Sequence, residues 1–156
     1  MPDLVTDRLI LRPWDALDVK AVVEASRQPS WADDFPAEGD TVIAGVIAEN
    51  PAWLSPFGHR LIIERATSEV VGSLGLFWPP SDGRVEIGYG VVPSRQGRGY
   101  ASEAAAALAS FALASDEVHT VHASVERTNP ASARVLEKAG FTQYGSTDEL
   151  LSYERR

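Results

Sequence analysis

Arg95-Gln96-Gly97-Arg98-Gly99 places two glycines between and beside two arginines, immediately before Tyr100-Ala101 and a run of alanines. The apolar segment ending in Val91-Val92-Pro93 reads as a strand, and the alanine-rich segment as a helix. A glycine turn between them directs several backbone N–H groups at one spot, where the helix adds its partial positive charge. Such a spot suits phosphate oxygens. The alternative is a turn that only joins strand to helix. Spacing removes the nearest competing motifs. A dinucleotide fingerprint needs G-x-G-x-x-G/A, but Ser102 stands where its last small residue belongs. A P-loop needs a lysine that the turn lacks, and Gly72-Ser73-Leu74-Gly75 has the wrong spacing for a nucleophile elbow.

Other residues could act on a substrate. Strand alternation sets Glu86 on one face with Gly88 and Gly90, which leave room beside it, so Glu86 is a candidate base. A solvent-facing glutamate is the alternative. Trp31, Asp33, Asp34 and Phe35 crowd carboxylates and aromatic rings into a short irregular stretch. Asp33 and Asp34 are second candidates for the base, and with Trp31 and Phe35 they would grip a cationic amine by charge and by cation–π contact, or form a solvated loop. Asn129-Pro130 reads as an N-cap followed by proline in the first helical position. Ser132 then lies in the first turn, where a serine often bonds backbone. His59, His119 and His122 form no metal set, and no metal is expected.

Positioning these groups requires a series of elements. Leu4 to Arg12 reads as a strand ended by Pro13. Asp15 or Asp18 would cap a helix carrying Leu17, Val19, Val22 and Val23. Asp40 would cap a second, with Val42, Ile43, Val46 and Ile47 at helical spacing. Three strands follow, His59 to Arg65, Val70 to Trp78 and Arg84 to Val92, joined as an antiparallel meander. Gly99 to about Ser115 is a helix, Val118 to Glu126 a strand, and Asn129 to Gly140 a helix ended by glycine. Phe141–Tyr144 and Glu149–Glu154 complete a terminal hairpin. The strand–helix–strand unit around Gly99 should be a right-handed parallel crossover. The expected fold is a single α/β domain over residues 1–156, with a mixed, mostly antiparallel sheet of about seven strands and about four helices.

Composition narrows the function. A chain of 156 residues, 44% hydrophobic, builds one ordinary core. Its net charge of −8 disfavours nucleic acid and favours cationic partners. The chain has no cysteine, so thiolate chemistry is absent. No apolar run approaches the ~18 residues of a membrane span, and no signal peptide is evident, so a cytoplasmic location is expected.

Gln96-Gly97-Arg98-Gly99-Tyr100-Ala101 also fits Q-x-x-G-x-A. With Glu86-Ile87-Gly88-Tyr89-Gly90-Val91 before it and Asn129-Pro130 through Gly140-Phe141 after it, the chain resembles the GNAT superfamily of acyl-CoA-dependent N-acetyltransferases. The opening Thr6-Asp7-Arg8-Leu9-Ile10-Leu11-Arg12-Pro13 resembles the RimJ/RimL-like branch. The resemblance implies acetyl-CoA as co-substrate, lying where the Arg84–Val92 and Val118–Glu126 strands splay apart. It implies that Val91 and Val92 pair with the pantetheine arm, and that a bulge there aims an N–H at the thioester carbonyl. Gln96, Gly97, Arg98, Gly99, Tyr100 and Ala101 would hold the pyrophosphate, with Arg98 adding charge, and Asn129 and Ser132 would contact CoA. Many members protonate the leaving thiolate with a tyrosine in the last helix. Leu136 stands at that position here, so Ser132 is the candidate acid. The Trp31–Phe35 region would line the acceptor site. The implied acceptor is an amine, either a protein N-terminus or a small molecule, and a homodimer is common among similar proteins. The alternative is a non-catalytic acyl-CoA sensor or partner-binding module.

Overall fold

The computed structural model describes residues 2–156. In chain order the elements are β1 (Leu4–Val5), β2 (Leu9–Pro13), α1 (Ala16–Val23), α2 (Glu38–Glu49), β3 (His59–Glu64), β4 (Glu69–Leu76), β5 (Arg84–Val91), α3 (Tyr100–Leu113), β6 (Thr120–Glu126), α4 (Pro130–Lys138), β7 (Thr142–Ser146) and β8 (Leu150–Arg155). They form one eight-stranded sheet in the order β1-β2-β3-β4-β5-β6-β8-β7. Every neighbouring pair is antiparallel except β5 and β6, which run parallel on either side of the α3 crossover. The mixed α/β architecture therefore follows the expectation, with one strand more than counted. That strand arises because Leu4 to Arg12 is a hairpin. The Thr6 N–H bonds to the Leu9 carbonyl, and Leu4 comes to lie opposite Leu11.

Local signals set the helix ends. Asp15 and Asp18 both serve, each side chain accepting from the other's backbone N–H in a capping box. Val19 and Val22 of α1 are buried, whereas Leu17 and Val23 are exposed. α2 begins before Asp40, whose carboxylate reaches back to the Ala37 N–H. At α4 the Asn129 side chain accepts from the Ser132 N–H, and Gly140, at φ +92°, ends the helix.

The sheet parts in the middle. β5 pairs with β6 only from Arg84↔Thr120 to Glu86↔His122. Beyond that point β5 stays on β4 as far as Val91, while β6 follows β8 as far as Glu126. The far half of β5 thus borders a gap. The bulge expected in β5 is absent, because its register against β4 runs unbroken from Gly72↔Val91 to Leu76↔Ile87. The irregularity lies one strand over, where the β3–β4 register skips Val71. Fully buried Leu9, Leu11, Ile62, Leu74, Leu76, Leu108 and Leu136 belong to the core that fixes this geometry.

Candidate active site

The glycine turn closes on the gap. Gly97 and Gly99 sit at φ +78° and +82°, a left-handed conformation that glycine adopts without penalty. The first helical bond of α3 runs from the Glu103 N–H to the Gly99 carbonyl. Among the described residues, the N–H groups of Gly97 through Ser102 have no acceptor within the chain. They converge on a cavity of about 540 Å³ lined by Gln96, Gly97, Gly99, Tyr100, Ala101 and Ser102 on one side and by α4 on the other. Unpaired donors at a helix N-terminus form an anion site.

The arginines of the turn do different work from that expected of Arg98. Glu64, 2% exposed, accepts from Arg95 (3.3 Å) and the Thr67 hydroxyl (2.7 Å) on one oxygen. Its other oxygen accepts from Arg98 (3.2 Å) and the Tyr100 hydroxyl (2.7 Å). Burial alone would raise this carboxyl. The Tyr100 and Thr67 hydroxyls and Arg95 outweigh it and hold the group below the usual carboxylate range. Arg95 also bonds Glu69 at 2.6 Å. The Arg98 side chain is therefore drawn to Glu64 and does not line the cavity, while its backbone N–H stays unpaired with the rest of the turn. From the other side Arg8 donates to Glu103 and to the Arg98 carbonyl, with its guanidinium 4.8 Å above the Tyr100 ring. The cations that do line the cavity are Arg134 and Lys138, one turn apart on α4.

The gap edge of β5 belongs to alternate residues. The Glu86 carbonyl and the Val92 N–H both bond to β4 or its extension, at Phe77 and Val71. Val92 is thus pinned on the β4 side and wholly buried, which corrects its expected pairing with a ligand. By alternation Tyr89 and Val91 face the gap. The Gln96 side chain folds back to donate to the Val91 carbonyl at 2.9 Å. Asn129 and Ser132 line the same cavity. Tyr89 spans the opening: its hydroxyl lies 2.8 Å from Ser132 Oγ and 3.1 Å from the Ser132 carbonyl oxygen.

A second cavity, of about 550 Å³, opens on the opposite side of β5. Val42, Ile43, Leu74 and Phe77 make its apolar wall, and Glu38, Asp40, His59 and Ser73 are its polar members. Asp40 accepts from the Ser73 hydroxyl, tying the start of α2 to β4. Burial pushes its carboxyl up against those hydrogen bonds. His59 is 2% exposed and its Nε2 has no partner among the described residues, so burial pushes the ring down to about 4 and keeps it neutral. Tyr89, Gly90 and Val91 line both cavities, so a group drawn along the gap from one side meets a group entering from the other.

The family model for the acetyltransferase (GNAT) domain matches residues 8–142. The chain belongs to the GNAT acetyltransferase family. Among curated GNAT relatives, the uncharacterized N-acetyltransferase YoaA of Bacillus subtilis is 30% identical over 92% of this chain and 85% of its own length. The match to the uncharacterized N-acetyltransferase YjdG of the same organism, 35% identical, spans 54% of this chain and about half of that protein (51%). A solved structure of a putative GNAT-family acetyltransferase from Bordetella pertussis superposes with a TM-score of 0.71 at 28% identity, covering all of both chains. RimL, a ribosomal alpha-N-protein acetyltransferase solved in complex with coenzyme A, shares the fold at a TM-score of 0.71 and 20% identity, over 99% of this chain and 97% of its own.

Within this GNAT domain the acidic, aromatic segment lies outside both cavities. Trp31 and Phe35 are 6% and 1% exposed and pack edge to face at 5.3 Å. Trp31 bridges to Val70, extending the sheet edge where β5 has ended. Asp34 accepts from the Ser94 N–H and hydroxyl at 2.8 and 2.7 Å, and those bonds hold its carboxyl below the usual range. Asp33 points to solvent, 4.0 Å from Arg27. The cation grip expected of these four residues is corrected: the Trp31 and Phe35 rings are spent in the core, Asp34 braces the glycine turn through Ser94, and Asp33 faces solvent. Glu86 keeps its place on the face of Gly88 and Gly90, but it is exposed and lines neither cavity. The Phe77 ring lies against Gly88 and lines the second cavity. Sequence reasoning missed Tyr89, Arg134 and Lys138. The four-residue spacing of the last two was a usable signal, whereas nothing near Tyr89 in the chain announces Ser132 as its partner. Among the described residues no cluster of His, Asp and Glu is placed to hold a metal, and no helix is long and apolar enough to cross a membrane.

Proposed function

We propose that the protein transfers the acetyl group of acetyl-CoA to a primary amine, a protein N-terminus or a small molecule, by direct attack on the thioester. The observation that carries this reading is the run of unpaired N–H groups from Gly97 to Ser102, facing a cavity that meets a second cavity at Tyr89, Gly90 and Val91. The turn with Gln96 would hold the pyrophosphate, Arg134 and Lys138 would add charge, and Asn129 would contact the pantetheine arm. The edge of β5 at Tyr89 and Val91 would receive that arm as a neighbouring strand would. Coenzyme A bound to RimL supports this choice of donor.

The second cavity would take the acceptor. Its Asp40 and Glu38 suit a positively charged group on approach, and its apolar wall suits a carbon chain or ring beside the amine. The chain has no cysteine to carry an acyl group, in keeping with direct transfer. Ser132 would protonate the departing thiolate. Leu136, wholly buried, contributes no polar group there. Two cavities meeting at the same strand residues favour transfer over a module that only binds acyl-CoA.

The test is thiol release from acetyl-CoA against a panel of small amines, aminoglycosides and N-terminal peptides. Turnover with a member of one class names the acceptor. Tight CoA binding without turnover above background on any amine would refute the enzyme.

A further inference from the structure

Tyr89 is the one residue common to both cavities that carries a polar side chain, since Gly90 and Val91 are its companions. Its ring crosses from β5 to α4 and brings its hydroxyl to Ser132, 43 positions away in sequence. The Ser132 carbonyl at 3.1 Å can only accept, while Oγ at 2.8 Å can accept or donate. The two hydroxyls are therefore in position to pass a proton between them. Burial pushes the phenol up, against a smaller downward pull from Ser132, so it carries its proton at neutral pH.

We propose that Tyr89 and Ser132 form a two-hydroxyl relay that carries one proton from the acceptor nitrogen to the departing sulfur. The inference rests on the transfer reaction proposed above. The amine enters as the free base, and its lone pair forms the C–N bond with the thioester carbon. Attack makes the remaining nitrogen protons acidic. As the C–S bond breaks and its electron pair leaves with sulfur, nitrogen gives a proton to the Tyr89 oxygen. Tyr89 gives its own to Ser132 Oγ, and Ser132 gives its own to sulfur. Both hydroxyls finish as they began, and the net change is one proton moved from nitrogen to sulfur. No tyrosinate accumulates, and no carboxylate base is required at this step. That accounts for a site in which Glu86 lies outside both cavities and Leu136 closes the place where α4 would otherwise present a phenol.

The experiment compares wild type, Tyr89→Phe, Ser132→Ala and the double variant, using the best amine from the acceptor panel. It reads kcat, the KM for acetyl-CoA, CoA affinity by calorimetry, and the dependence of kcat on the deuterium fraction of the solvent. Each single variant should lose about 100-fold in kcat, the lower end of what positioned proton transfer contributes. CoA affinity should stay within about twofold, since Tyr89→Phe keeps the ring. The double variant should fall little further, because one relay is broken once. A bowed deuterium dependence in wild type, from more than one proton in flight, should become linear in Tyr89→Phe. Full kcat in Tyr89→Phe, multiplicative losses in the double variant, or a loss confined to CoA affinity would each overturn the relay while leaving the acetyltransferase reading standing. Absence of turnover in the wild type would overturn both.

Discussion

Replacing Glu64 with glutamine tests whether a buried carboxylate in β3 holds the glycine turn in place. Each carboxylate oxygen accepts from one arginine and one hydroxyl: Arg95 and Thr67 on one, Arg98 and Tyr100 on the other. Glutamine keeps one acceptor oxygen and presents an NH2 in place of the other. A hydroxyl can rotate to accept from that NH2, but a guanidinium cannot, so one arginine loses its partner in either orientation. Breaking a fully buried charge pair at one end costs about 3–5 kcal/mol. Here the NH2 would face Arg98, whose side chain is half exposed and rehydrates, while Arg95 keeps both the remaining oxygen and Glu69. The expected loss is about 2 kcal/mol of stability by urea denaturation. CoA should bind about tenfold more weakly by calorimetry as the turn loosens, equivalent to about 1.4 kcal/mol. The kcat at saturating acetyl-CoA should be unchanged, because Glu64 lines neither cavity. The folded-state carboxyl is held below its ordinary value, so its contribution exists above the unfolded pKa and disappears as pH falls through the folded one. The stability gap between wild type and variant should therefore close on acidification below about pH 4. A variant within about 0.5 kcal/mol of wild type at neutral pH, with unaltered CoA affinity, would show that the carboxylate does not set the turn.

His59 supplies a separate pH dependence. Its folded pKa of about 4 lies below the ordinary 6.5, so the unfolded chain takes up the proton first and stability falls as pH drops from about 6.5 to 4. At about 1.4 kcal/mol per unit the full effect is about 3 kcal/mol, and His59→Gln should remove that part of the slope in denaturation curves taken across the window. At the turn, Gly99→Asp places a side chain at φ +82° near Arg8 and a carboxylate beside the unpaired N–H groups. CoA affinity should fall by at least about tenfold in a protein that still folds, measured by calorimetry against circular dichroism. Ser73→Ala strips Asp40 of a buried hydrogen bond, and the stability loss by thermal or urea unfolding should be about 1–3 kcal/mol. The same variant should raise the acceptor KM more than that of acetyl-CoA.

The part of the site legible in the sequence was the part built from neighbours in the chain. Gly97 and Gly99 could be read because a turn between strand and helix needs left-handed residues within a few positions. Asn129 and Pro130 could be read because a helix end is capped by its own first turn. The parallel strand pair and crossover followed from element order. Side-chain alternation correctly placed Glu86 on a face with Gly88 and Gly90, but alternation names a face and not what covers it. The Phe77 ring, just past the end of β4, closes on Gly88, while the space beside Gly90 stays open to the second cavity.

What the tertiary structure alone decided is which groups meet across the sheet. An arginine in a glycine turn looks the same in sequence whether its partner is a bound anion or Glu64, more than thirty positions earlier. Charge is long-ranged and indifferent to chain order, so the folded geometry chose Glu64 for Arg98 and left Arg134 and Lys138 to face the cavity. Trp31 and Phe35 looked like an open aromatic grip until the edge of β4 at Val70 drew them into the core. Tyr89 read as one more strand residue. Only the parting of β5 from β6 leaves its ring free to reach α4, and only that reach brings its hydroxyl to Ser132.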